Sequence, residues 1–469
     1  MTPYSPINTI LNQVQLNHIY VEGSILIVLL WILIKKAASS GKSKTAKPAE
    51  TDIEKQISAW NPLPLVSKCQ PASLSLTSHV IQSKAENYIL INGRSCINFA
   101  THNYFSFTDD KSVENAVIEA VNKYGVGTCG PRAFYGTIDI HLELEERIAK
   151  FMDMEEAVIY SYGFSTVTSA IQAYIKSRDI VYVDEQVNFA VQKGLQATKA
   201  TVVYFKHNSA DDLERLIVEN KNSSRKNRSR RAFLIVEGLY INTGNICDLP
   251  SLIDLRIKHK IRIFIDETMS IGILGARGRG VTEHFNIPKD EVDLIIGSLE
   301  TTLSAGGGFC VGSSFVVEHQ RLSGLGYCFS ASLPPLMAAA AIHALDLIDK
   351  RPEMLIALRE RSVKIHRVLV NSPLLMDYFT LKSDATSPVK HLYLKDESLL
   401  HVEQQECLRN IVDLCIAEGV ALTVAAYLDH KEHKMPKPSI RLLANINVTD
   451  ENVDFLKTVL LRAATTCIS

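Results

Sequence analysis

Residues 292–310 read VDLIIGSLETTLSAGGGFC. The run opens with alternating β-branched and apolar residues and closes on Gly306-Gly307-Gly308. A short apolar run bounded by turn formers reads as a buried strand, and a glycine cluster permits a sharp reversal with close backbone approach. In α/β proteins such a strand-to-turn junction sits at the mouth of a site, outside the carboxyl ends of the strands. Yet the junction itself, Glu300-Thr301-Thr302, holds no strong nucleophile. The frame is present and the expected reactive side chain is not.

Working outward, five more runs have the same character: EAVIYS (156–161), DIVYVD (179–184), TVVYF (201–205), AFLIVEG (232–238) and IRIFIDE (261–267). They alternate with segments of helical periodicity such as SVENAVIEAVNKYG (112–125) and HLELEERIAKFM (141–152). That alternation predicts an α/β domain with a mostly parallel sheet. ENYILINGRSCINFATHNYFSF (86–107) predicts a hairpin turning at Asn92-Gly93. A long Ala/Leu/Ile-rich helix follows Pro334-Pro335. The expected organisation is a large domain over 86–345 and a smaller C-terminal α+β domain over 346–469, preceded by a linker and N-terminal arm over 37–85.

The chain has 469 residues, with 50 basic and 51 acidic, so no global charge points to nucleic acid. Nine scattered cysteines without C-x-x-C spacing argue against a disulfide framework or a zinc site and suit a reducing compartment; no metal is expected. After a short segment 1–18 that lacks Lys and Arg, GSILIVLLWILI (23–34) is wholly free of charge and is followed by basic residues. A transmembrane helix over 19–36 is the expectation, with the rest of the chain in the cytosol. A buried core helix or a cleaved signal peptide are the alternatives. KNSSRKNRSRR (221–231) reads as a solvated loop or as a contact with an anionic membrane surface.

Six segments fall in a telling order: YGVGTCGPRAFYGTIDIHLELE (124–145), VEGLYINTGNICDLPSL (236–252), FIDETMSIGILGARGRGVTEH (264–284), DLIIGSLETTLSAGGGF (293–309), YCFSASLPP (327–335) and PSIRLLANINVT (438–449). Together they resemble the α-oxoamine synthase family over roughly residues 55–465. The resemblance implies the fold-type I, aspartate aminotransferase-like architecture of pyridoxal phosphate (PLP)-dependent transferases. It also implies condensation of an amino acid with an acyl-CoA.

The departures are as informative as the matches. In the family a lysine before the glycine turn forms the Schiff base with PLP, because only an amine gives an exchangeable imine. Here that position is Thr301. The family's Asp-Glu-Ala-His becomes Asp266-Glu267-Thr268-Met269, and its ring-stacking histidine becomes Asn188. Asp266, which in the family pairs with the pyridine nitrogen, is kept. The pattern resembles the non-catalytic subunits within the family. It implies no PLP held covalently by this chain and a heterodimer with a PLP-bearing second subunit. It further implies small activating subunits, membrane regulators, and single-pass residence in the endoplasmic reticulum (ER) membrane. The reaction implied is condensation of L-serine with palmitoyl-CoA to 3-ketodihydrosphingosine in sphingolipid biosynthesis.

Fold-type I enzymes are dimers with sites at the interface, so this chain's own contributions are sought in two loops. Gly127, Cys129 and Arg132 are candidates to reach a partner's site, or else form a structural turn. Ser330 and Ser332 are candidates to meet a phosphate, or else cap the following helix. Arg441 aligns with the family arginine that clamps the substrate carboxylate, and is read as vestigial or structural. Two other readings stay open. One is an active synthase using a displaced lysine such as Lys193 or Lys206, and the other a membrane-bound scaffold or regulator.

Overall fold

The computed structural model describes residues 20, 22–36, 50–62, 64–65, 79–223, 230–425, 427–428 and 431–468. It divides into two units, Met1–Leu76 and Thr77–Ser469. In the first unit, residues 22–36 and Glu50–Ala59 are helical. The apolar side chains of the first helix stand exposed from Ile25 to Ile34. The membrane-spanning helix expected over 19–36 lies partly outside the described residues, and among the described residues no helix is long and apolar enough to cross a membrane. The expected segment 1–18, residues 37–49, 63 and 66–78 of the expected linker and arm over 37–85, and residues 224–229 of the basic stretch 221–231 lie outside the described residues.

The second unit begins with a hairpin, β1 (Tyr88–Ile91) and β2 (Arg94–Asn98), paired Ile91 to Arg94. Its turn is the expected Asn92-Gly93, with φ of 49° and 82°. Both central residues are left-handed, which matches the twist of the flanking strands.

Seven strands follow: β3 (Glu156–Tyr160), β4 (Ile180–Asp184), β5 (Thr201–Phe205), β6 (Ala232–Glu237), β7 (Arg262–Asp266), β8 (Leu294–Ser298) and β9 (Gly308–Gly312). They form one sheet in the order β3-β9-β8-β7-β6-β4-β5. The neighbours among β4 to β8 run parallel, whereas β9 is antiparallel to both β8 and β3. The sheet is therefore mixed, and the reason lies in the opening stretch. A parallel return needs a crossover of a dozen or more residues, and only residues 299–307 separate β8 from β9. The chain turns back on itself, with Leu299 N donating to Gly307 O at 2.9 Å. Gly307 has φ 101°, and a Cβ there would lie 2.6 Å from Tyr160 O.

The C-terminal part adds β10 (Phe379–Leu381), β11 (Val389–Leu394), β12 (Val420–Ala421), β13 (Thr423–Val424) and β14 (Ile440–Leu443). Four of these make an antiparallel sheet, β10-β11-β14-β13. The remaining strand, β12, pairs in parallel with β2. By pairing, the hairpin assigned above to the 86–345 segment thus belongs with the C-terminal strands.

Candidate functional site

Three neighbouring parallel strands end in an acid. β4 closes on Asp184, β6 on Glu237 and β7 on Asp266, all buried, and Glu237 is register partner to Asp266. Burial drives the Asp266 carboxyl above its ordinary range. Burial, with Asp266 alongside, drives Glu237 far above its own. Asp184 holds His207, whose Nδ1 lies 2.9 Å from Asp184 Oδ1. Burial works against charge on that imidazole, but the bonds to Asp184 outweigh it and its pKa rises.

Asn188 joins these carboxylates. Its backbone N–H donates to Glu237 Oε1, and its Nδ2 donates to Asp266 Oδ2 at 2.8 Å. Its Oδ1 accepts from Val191 N at 3.1 Å, capping the helix Phe189–Thr198. The second Asp266 oxygen accepts from Thr268 N at 2.9 Å. Thr301 donates its hydroxyl to Thr268 O at 2.8 Å, and Thr302 donates to Ile271 O at 2.8 Å. Met269, at the family histidine position, is a buried thioether in the core. Thr301, Asp266 and Asn188 are thus brought together, linked through Thr268.

Beside them a cavity of about 270 Å³ is lined by Phe164, Asn188, Ile241, His391, Tyr427 and Arg441, among others, and by no lysine among the described residues. Arg441 lies on β14 opposite His391 of β11. Its Nε and the Tyr427 hydroxyl are buried without a hydrogen-bond partner among the described residues. Burial lowers the pKa of Arg441. His391 is held neutral, pushed down to about 3 by burial, with Nε2 at 2.8 Å from Ile241 O and Nδ1 at 2.8 Å from Ser439 Oγ. Lys193 Nζ is engaged by Gln196 Oε1 and Lys431 O, and Lys206 is exposed.

The loop candidates fare differently. Arg132, a candidate to reach a partner's site or else part of a structural turn, is buried in a two-pronged pair with Glu145, Nη1 to Oε1 at 2.9 Å and Nη2 to Oε2 at 3.0 Å. The sequence could not show this, because Glu145 comes from the next helix, Asp139–Met152. Ser332, a candidate to meet a phosphate or else to cap the next helix, donates both its N–H and its Oγ–H to Gly130 O, at 3.0 and 3.1 Å. That contact ties the two candidate loops to each other. Capping by these serines is not what starts the next helix, whose N-cap is Pro334. Ser330 is half-buried and Cys129 is exposed with φ 60°. Around Gly127 a Cβ would meet nothing within 4 Å.

The cofactor that the resemblance brings with it does not fit these residues. PLP needs an amine for its aldehyde, a carboxylate free to pair with the ring N–H, and a seat for its phosphate. Thr301 supplies no amine, and each Asp266 oxygen accepts from a donor of the chain, Asn188 Nδ2 or Thr268 N, where a ring N–H would have to be added. The first N–H of the nearby helix Gly163–Tyr174 donates to Glu300 Oε1 at 2.8 Å, so a carboxylate of the chain already sits there. Glu300, Glu237 and the Asp184–His207 pair went unread in the sequence. The three strands ending in acids were the available signal; the Gly163–Glu300 contact had none.

The model of the family "Aminotransferase class I and II" matches residues 94–428. Serine palmitoyltransferase 1 of Dictyostelium discoideum is 37% identical over 440 residues, covering 93% of this chain and 91% of its own. Long chain base biosynthesis protein 1 of Arabidopsis thaliana is 34% identical over 409 residues, 87% and 83% of the two chains. Serine palmitoyltransferase 1 of Saccharomyces cerevisiae is 33% identical over 390 residues, 79% and 70%. Among solved structures, Sphingomonas wittichii serine palmitoyltransferase superposes with a TM-score of 0.74 at 23% identity, covering 90% of this chain and 98% of that one. The fold is thus the PLP-dependent, aminotransferase-like one. The chain belongs to the class I and II aminotransferase family and, within it, to the serine palmitoyltransferase 1 and long chain base biosynthesis protein 1 group.

Proposed function

We propose that this chain is the non-catalytic subunit of serine palmitoyltransferase. In this reading it forms a heterodimer with a PLP-bearing second subunit. The pair condenses L-serine with palmitoyl-CoA to 3-ketodihydrosphingosine, the acyl-transfer step that opens sphingolipid synthesis. The observation that carries the reading is Thr301. It occupies the strand-to-turn junction where the chemistry requires an amine, its hydroxyl is spent on Thr268 O, and no lysine among the described residues lines the adjoining cavity. The same absence of lysine disfavours an active synthase with a displaced amine. Arg441 is read as a relic of a substrate site, since no chemistry is left beside it to act on a bound amino acid.

The exposed apolar helix 22–36 supports attachment of the complex to the cytosolic face of the ER membrane, where small activating subunits and regulators would join it. The proposal is tested by expressing the chain alone and together with a PLP-bearing second subunit. Condensation of serine with palmitoyl-CoA and bound PLP are measured in each. Activity only in the pair, with one PLP per heterodimer, is expected. Activity or covalent PLP in the chain alone would overturn the reading.

A further inference from the structure

We infer that this chain closes its former cofactor site with its own side chains: Glu300 is a resident anion in place of a phosphate, and the Asn188 amide a resident donor in place of a ring N–H. The inference rests on the silent-subunit reading and explains why loss of the lysine is not the whole of it. Two independent contacts carry it. At one end of the site, the first N–H of the helix Gly163–Tyr174 donates to Glu300 Oε1 at 2.8 Å. A helix N-terminus carries partial positive charge and orphan N–H groups, so it takes one anion readily. Here that anion is fixed in place. Glu300 N donates to Ser298 Oγ at 3.0 Å, and a Cβ on Gly163 would lie 2.8 Å from Ser298 Oγ and 2.9 Å from Glu300 Oε2. A phosphate dianion arriving there would meet a carboxylate of like charge already bonded to the helix start.

At the other end, Asp266 is buried, and Asn188 Nδ2 and Thr268 N already bond its two oxygens. The residues between these ends are also tied down, with Thr301 donating to Thr268 O and Thr302 to Ile271 O. Glu300 is therefore a positioning residue. It holds the strand-to-turn junction against the helix start and excludes a second anion.

The test uses the full chain co-expressed and purified with its PLP-bearing second subunit. Wild type, Thr301→Lys and Thr301→Lys/Glu300→Ser are treated with borohydride, and PLP fixed to this chain is counted by mass spectrometry. Thr301→Lys alone is expected to stay close to wild type. The double variant should carry roughly tenfold more fixed PLP or better, the range opened by removing an anion from a helix N-terminus. Thr301→Lys/Glu300→Gln keeps the shape and removes the charge, so it decides the matter if serine loosens the turn. Full labelling of Thr301→Lys alone overturns the inference, as does absence of labelling in both double variants. PLP fixed to this chain in the wild-type complex would instead overturn the silent-subunit reading, which keeps the two failures apart.

Discussion

Replacing Arg132 with methionine keeps the apolar stem of the side chain and removes its guanidinium. Glu145 then stays buried with one hydrogen bond, from Ile159 N at 3.1 Å, and one distant cation, Arg321 Nη2 at 3.9 Å. Removing one partner of a buried ion pair costs about 3–5 kcal/mol, because the survivor keeps its desolvation penalty without its compensation. The remaining N–H places Glu145 at the low end, about 3 kcal/mol. Unfolding entropy of about 2.1 cal/mol/K per residue gives about 0.8 kcal/mol/K for the unit Thr77–Ser469, so Tm should fall by about 4 °C. Calorimetry of the purified complex at low and high salt measures this, and a buried pair should give the same shift at both. Arg132→Met/Glu145→Gln removes both charges, keeps an acceptor for Ile159 N, and should recover most of the loss. A single variant within about 0.5 kcal/mol of wild type, the size of an ordinary surface substitution, would refute the argument. So would a double variant no better than the single. Weakened subunit association at unchanged Tm would return Arg132 to the interface.

Glycine substitutions in the same loop should separate sharply. Gly136→Ala places a Cβ 2.0 Å from Gly130 O and 2.6 Å from Pro131 O, whereas Gly127→Ala meets nothing within 4 Å. Yield and Tm of the complex should collapse for the first and stay within about 0.5 kcal/mol of wild type for the second. His391 should make the fold sensitive to acid. Its pKa falls from 6.5 to about 3 on folding, so the native state binds fewer protons than the unfolded chain in that window. Its contribution is complete above pH 6.5 and lost as pH falls toward 3. At pH 5 the loss is about 2 kcal/mol. His391→Gln should flatten the stability difference between pH 7 and pH 5 in urea titrations, and an unchanged slope would count against a buried neutral imidazole.

The elements that were legible in the sequence are those whose signal is local. The Asn92-Gly93 turn was readable because that pair is among the few that accept two left-handed residues in succession. The central strands were readable because burial on both faces leaves nearly unbroken apolar runs such as IVYVD and RIFID. What escaped was set by distance along the chain. β2 pairs with β12 across more than 320 residues, a match between two short strands that no local pattern announces. Arg132 looked like a free cation because Glu145 lies a helix away, and Ser332 looked like a free hydroxyl because Gly130 lies 202 residues earlier. The apolar N-terminal run suggested a span over 19–36, part of which lies outside the described residues, and among these no helix is long and apolar enough to cross a membrane.

The three lost residues at the site follow one physical requirement. Two neighbouring central strands ending in Glu237 and Asp266, buried side by side, are costly unless each acid is protonated or finds donors, and a bound cofactor would supply some of them. Without one, the donors must come from the chain. Asparagine meets that need where histidine would not. It offers an acceptor to cap Phe189–Thr198 and, at the same time, an N–H for Asp266, with neither depending on protonation. The argument reverses at the cavity that Asn188 and Arg441 both line, where Arg441 Nε and the Tyr427 hydroxyl are buried without partners among the described residues. Had selection for stability alone shaped the pocket, those groups would have been paired or replaced as Asp266's surroundings were. The site is therefore satisfied at Asp266 and unsatisfied at Arg441 Nε among the described residues, which is the pattern the proposed silent subunit would show if only the cofactor end of its pocket had been refitted.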